Sequence, residues 1–273
     1  MAHVFTSIAY AVERLHECEY FLSRLADSRS DAFSFELNAF LSASRSVTFV
    51  LQKSMAHVPN FDPWYQQRRL QMAADPAMRF FLELRNVSQK QGPISYVGGA
   101  VGRGKWSYQF VSGVIAMPKE LFGRDIVDCC AEHLKKLAQL LLSYYEAYPA
   151  DACVGCAWTE EGMSRLGFSL ADVALCLGLP LGYLEVGGDC FSVEDRFRVL
   201  RREIDPIDRK DLERLSAGEF MANGAPISLP IISSDDFVTH VASIAESRSG
   251  APINARSLFL QAIAERILEQ ERD

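Results

Sequence analysis

Arg85, Asn86 and Lys90 are the first residues in the sequence whose types and spacing could do chemistry. They sit in Phe80-Phe-Leu-Glu-Leu-Arg-Asn-Val-Ser-Gln-Lys-Gln-Gly-Pro93, a stretch with helical periodicity. On a helical wheel Arg85 falls between Phe81 and Leu82, inside an apolar stripe. A guanidinium in that position needs a carboxylate, a carbonyl or an anionic ligand, because an unpaired buried cation costs several kcal/mol. Glu36 or Glu19 on a neighbouring helix would make it a structural arginine, whereas a phosphate would make it a binding residue. Lys90 lies at the helix end, seven residues after Glu83, where a solvated role is open to it as well.

Four further groups invite a chemical reading. Gly99-Ala-Val-Gly-Arg-Gly-Lys105 spells the first seven positions of a phosphate-binding loop. That loop needs Ser or Thr after the lysine and a following helix, but Trp106 and a β-rich run come next, so a hairpin with exposed cations is expected. Cys153-Val-Gly-Cys156 and Cys129-Cys-Ala-Glu-His133 resemble two halves of a zinc site. If one helix runs from Asp125 to Tyr148, His133 lies about 22 Å from its end, so buried free cysteines are expected, with no metal and no cofactor. Ser169 to Leu184 resembles a DNA-binding helix-turn-helix, yet Pro180-Leu-Gly-Tyr-Leu-Glu-Val186 has no side chain suited to base edges. A structural helix pair with a start capped by Ser169 and Asp172 is favoured there. Arg196, Arg198, Arg201 and Arg202 alternate with acidic residues further on, as a solvated helix face does.

The elements that must position these residues follow from periodicity. Ile8, Val12, Leu15, Cys18, Leu22 and Leu25 form one amphipathic stripe, and Phe33, Leu37, Phe40, Ser44, Val47 and Leu51 form a second. So short a turn between two long helices predicts antiparallel packing. Pro63 suits the first turn of a third helix, and Asp75 with Pro76 opens a fourth that Gly92-Pro93 stops. Residues 94–116 read as a β-hairpin excursion, and Asp125 to Tyr148 returns to helix. Shorter helices are expected at about 160–166, 170–177, 193–202, 208–215, 235–246 and 254–271. The fold class is therefore mainly α: an antiparallel bundle over residues 1–150 with a small hairpin, then an acidic helical region over 151–273.

At this point the pattern resembles the HEPN superfamily of bacterial and archaeal helical bundles, on two long antiparallel helices and a helix ending in Leu84-Arg85-Asn86 before Gly92-Pro93. The resemblance covers about residues 5–148. It implies a homodimeric, metal-independent ribonuclease whose two motifs meet across the interface. By position Arg85 matches the catalytic arginine, Asn86 the polar residue after it, and Lys90 the place of the histidine. That last match is a departure: a lysine with an ordinary pKa of about 10.4 is already protonated and cannot serve as a base. The expectation is a degenerate, inactive ribonuclease site on an RNA-associated or defence-type protein. A non-catalytic interaction or dimerisation protein is the alternative, with a helix-turn-helix regulator behind it. Partners would be a second copy, RNA, or a protein docking on the C-terminal helical region.

Composition sets the outer bounds. The chain has 273 residues, 49% of them hydrophobic and 23% charged, enough for a full-sized core. No apolar run approaches the roughly 18 residues of a membrane span, and Met1 to Leu15 lacks the features of a signal peptide, so a cytoplasmic location is expected. Seven cysteines, an odd number, argue against a disulfide framework. Residues 1–92 hold 10 Lys/Arg against 9 Asp/Glu, and residues 158–273 hold 12 against 20, within a net charge of −7. A generic nucleic-acid binder carries a basic excess, so any such site must be local and is expected in the first half.

Overall fold

The apolar stripes become the helices they predict. The computed structural model describes residues 5–102, 105–111, 113, 115–176, 192–201, 207–222 and 225–227. Two compact units divide the chain, Met1–Ser228 and Leu229–Asp273; the second, with the helices expected at 235–246 and 254–271, lies outside the described residues, as does 177–191. In the first unit α1 spans Ala9–Asp27 and α2 Asp31–Met55. Leu15, Cys18, Leu22 and Leu25 of α1 face Leu37, Phe40, Leu41 and Val47 of α2, all buried. Arg24 Nε donates to Glu36 Oε1 at 2.6 Å across the turn, as antiparallel neighbours must. Ser30, at φ 54°, makes that turn.

Helix α3, Phe61–Ala74, carries Pro63 in its first turn. Helix α4, Pro76–Lys90, starts as the sequence predicts: Asp75 Oδ1 accepts from Met78 N at 3.1 Å and Pro76 takes the first helical position. The hairpin pairs β1, Tyr96–Gly102, with β2, Lys105–Phe110, antiparallel. The second strand stops at Phe110, short of Ala116; beyond it Val111 N still bonds back, to Ser95 O at 3.4 Å. Phe110 turns inward against Phe80 and Phe81, with ring centroids 5.3 and 6.2 Å away. Gly98 is required where it is, since a Cβ there would lie 2.2 Å from the Tyr108 ring.

Helix α5, Ile126–Ala147, is the central element, buried through Ile126, Cys130, Leu134, Leu137 and Leu141. Short helices follow: α6, Pro149–Ala152; α7, Val154–Ala157; α8, Glu160–Leu166; α9, Leu170–Cys176; α10, Val193–Arg201; and α11, Arg209–Ala217. A two-stranded ladder, β3 Phe220–Ala222 with β4 Ala225–Ile227, was not foreseen in the sequence. Trp158, Met163, Val173 and Phe197 build a small second core. Helix α11 packs on α5, and β3 on α1, so the unit that contains the bundle continues to Ser228. Among the described residues no helix is long and apolar enough to cross a membrane.

Candidate functional site

The site is built on the seam between α2 and α4. Asn38, Ser42 and Arg45 recur at steps of four and three and so share one face of α2. Ser88 Oγ donates to Asn38 Oδ1 at 2.7 Å, and Gln89 Nε2 reaches Ser42 Oγ at 3.4 Å, which ties that face to the end of α4. Arg85 lies one turn before Gln89, at the edge of the buried face formed by Ala77, Phe80, Phe81 and Leu84.

Arg85 is not a paired structural arginine. Glu36 is taken by Arg24, and Glu19 accepts a two-pronged bond from Arg214 at 2.6 and 2.9 Å, so both carboxylates expected for Arg85 are engaged elsewhere. Among the described residues the Arg85 Nε is buried without a hydrogen-bond partner, and one terminal nitrogen makes a long contact, 3.4 Å, to Asn86 Oδ1. Arg85 and Asn86 therefore stand together. Lys90 is exposed; it lies about 140° around the helix from Arg85 but one turn beyond Asn86 on that residue's side.

Residues the sequence reading left out enlarge the patch. Arg45 donates to Thr48 Oγ1 at 2.9 Å. Tyr65 of α3 bonds Thr48; burial raises its pKa, with the charges of Arg45 and Arg69 pulling the other way. Arg68 lies 5.5 Å over the Trp64 ring, and its Nε is also buried without a partner. Residues 41–90 hold seven Lys/Arg against three Asp/Glu, in a chain whose net charge is −7. One of the three, Asp75, is already bound to Lys136 at 2.6 Å. The signal that could have found the patch is the polar stripe Asn38-Ser42-Arg45, which runs between Phe35 and Phe49 on one face of α2. Chemically, it offers guanidinium and amide donors, the recognition set of a phosphate or other anion.

The remaining motifs resolve differently. Lys105 begins a strand, so the glycine-rich segment has no helix to aim at a phosphate. Among the described residues no group of three or more His, Cys, Asp and Glu side chains could hold a metal ion. Cys129 and Cys130 are buried, and His133 lies flat on Phe81, centroids 4.2 Å apart, instead of facing Cys153. Ser169 and Asp172 cap α9 reciprocally, with Ser169 N to Asp172 Oδ2 at 2.6 Å and Asp172 N to Ser169 Oγ at 3.4 Å. The helix expected after it lies outside the described residues. Arg201 pairs with Glu194, and Arg202 lies outside the described residues.

The chain is thus an antiparallel helical bundle with a hairpin inserted before its central helix and a basic, anion-competent seam. Comparison with known proteins adds one family: that described as bacteriophage lambda protein ea47 matches residues 9–124, from α1 through the hairpin and including the seam. Protein ea47 of Escherichia phage lambda is 32% identical over 84 residues, which is 30% of this chain. The match covers 20% of that relative's length. No solved structure matches the chain.

Proposed function

We propose that this is a HEPN-like, RNA-associated protein of the defence type, which holds the RNA backbone at the α2–α4 seam and does not cleave it. The carrying observation is Arg85, a half-buried guanidinium without a carboxylate partner among the described residues, beside Asn86. The local basic excess over residues 41–90 supports a polyanion there. Lys90, in the place of the family's histidine, lies about 140° around the helix from Arg85, which supports binding without metal-free cleavage. In this reading the protein is a cytoplasmic homodimer, with the ends of the α4 helices close together.

The test is titration of a labelled single-stranded RNA over a range of salt. Arg85→Ala weakens binding by at least about tenfold and flattens the salt dependence by about one ion. Robust metal-free cleavage by the wild type, abolished by Arg85→Ala, overturns the degenerate-site reading. Lys90→His restores the missing imidazole and reports whether the position can work across a dimer. A second reading, a non-catalytic interaction or dimerisation protein, is favoured by Phe35 and Phe49, 69% and 54% exposed at either end of the same α2 face. Absence of RNA binding in the wild type together with a dimer by light scattering selects it; a monomer at tens of micromolar removes the composite site.

A further inference from the structure

We propose that Cys153 and Cys156 are a redox-active dithiol, which a low-molecular-weight disulfide oxidises to an intramolecular Cys153–Cys156 disulfide. The inference is independent of the RNA reading. Cys156 N donates to Cys153 O at 2.9 Å, closing a four-residue turn. Such a turn brings the end Cα atoms within about 7 Å, and a disulfide spans about 4.4–6.8 Å. The two sulfurs already share a hydrogen bond.

The two thiols differ in the way such a pair requires. Cys153 is buried, and its sulfur accepts from Cys156 and from the backbone N–H groups of Cys156, Ile207 and Gly155, which favours the thiolate. Cys156 is half-buried, and its sulfur also meets the Tyr145 hydroxyl at 3.2 Å. The shared bond keeps the proton on Cys156. Cys18, Cys129 and Cys130, by contrast, are buried and pushed up by desolvation, with Cys129 at about 12. Their burial closes them to an external disulfide, which the half-buried Cys156 can meet.

The chemistry balances. Cys153 sulfur takes the Cys156 proton while Cys156 sulfur attacks the external disulfide, forming a mixed disulfide and expelling one thiolate. That thiolate takes the proton from Cys153 and leaves as a thiol. The Cys153 thiolate then attacks Cys156 Sγ and displaces the second thiolate. Both protein sulfurs are oxidised, and the external disulfide is reduced to a thiol and a thiolate.

The test uses the native chain incubated with oxidised glutathione, acid-quenched, unfolded, alkylated and weighed. The reduced chain takes seven alkyl groups, one for each of its cysteines; the oxidised chain takes five, with peptide mapping placing the loss at Cys153 and Cys156. In Cys153→Ser both the resolving sulfur and the proton acceptor are gone, so Cys156 takes up glutathione more slowly than in the wild type and the mixed disulfide, once formed, persists. The wild-type count stands even if that variant fails to fold. Seven alkyl groups on the treated wild type, glutathione that persists on its Cys156, or a bridge between any other pair overturns the proposal.

Discussion

His133 is the residue with the most to say about how this core responds to acid. Its ring is stacked on Phe81 at an interplanar angle of 6°, Phe40 stands edge-on at 6.5 Å, and Nδ1 has no hydrogen-bond partner among the described residues. Burial, with Lys136 adding a smaller repulsion, holds its pKa down at about 3. The folded state keeps this imidazole neutral where the unfolded chain protonates it near 6.5. The unfolded state thus binds the extra proton between those values, and stability falls as pH drops from about 6.5 toward 3. From pH 6.5 to 5 that amounts to about 2 kcal/mol at one proton per unit. His133→Phe keeps a stacked ring without a titrating group. Its urea midpoint is expected to lose less between pH 7.5 and 5 than the wild type's, while Asp128 and the other titrating groups act alike in both chains. Equal losses would assign the acid sensitivity elsewhere. Arg85 is the opposite kind of buried polar group: it lies at the edge of the core, where a ligand can reach it.

At the scale of elements, the hairpin is held by one carboxylate. Asp125 Oδ1 caps α5 through Val127 N at 2.7 Å, and its Oδ2 accepts from Ser107 Oγ at 2.6 Å and Tyr108 N at 3.1 Å. Tyr108 in turn stacks on Phe33 of α2, and its hydroxyl accepts from Ser30 N. Asp125→Ala removes a cap and two charge-assisted bonds and is expected to cost about 2 kcal/mol. Ser107→Ala should cost less than half of that. Hydrogen exchange separates the effects: Asp125→Ala speeds exchange in both the hairpin and the first turn of α5, Ser107→Ala in the hairpin alone. The cap on α5 shows why the bundle was legible: amphipathic stripes, Asp-Pro starts and Gly-Pro stops are local signals that tertiary packing had no reason to override. What was not legible is long-range. Nothing local to Arg85 tells that Glu36 belongs to Arg24 and Glu19 to Arg214, a residue 195 positions away from its partner. The α2 half of the seam escaped for the same reason, since a polar stripe on one helix acquires meaning only once α4 lies beside it. The β3–β4 ladder has strands of three residues, too short for a period of two to declare itself.

At the scale of the molecule, the α11–β3 segment is fastened to the N-terminal helices by the Glu19 network. The carboxylate of Glu19, 8% exposed, receives Arg214 on both oxygens and Met221 N on Oε1 at 2.7 Å. Arg214 also bonds Glu219 O and Asp211, and His16 reaches Asp211 at 3.3 Å. Burial alone would raise the Glu19 pKa, but the bonds from His16, Arg214 and Met221 outweigh it and bring the group to about 2. Because the folded pKa is depressed, this contribution is fully present above about 4.5 and is lost as pH falls toward 2. His16 has the opposite sign: its bond to Glu19 raises its pKa, so its contribution is complete below 6.5 and fades as pH rises through the folded value. The fastening is therefore tightest in the mildly acidic window between the two. Glu19→Gln leaves Arg214 with Asp211 alone as its counter-ion and removes a charged acceptor of three hydrogen bonds, at an expected cost of about 2 to 3 kcal/mol. The loss should be local, with proteolytic cleavage first appearing after Arg209 or Lys210 while α1–α5 stay protected. His16→Gln should loosen the same segment more at pH 5.5 than at pH 8. If Glu19→Gln instead exposed the whole unit to cleavage at once, α11 and β3 would be part of one cooperative fold with the bundle, and the network would be an internal strut of that fold.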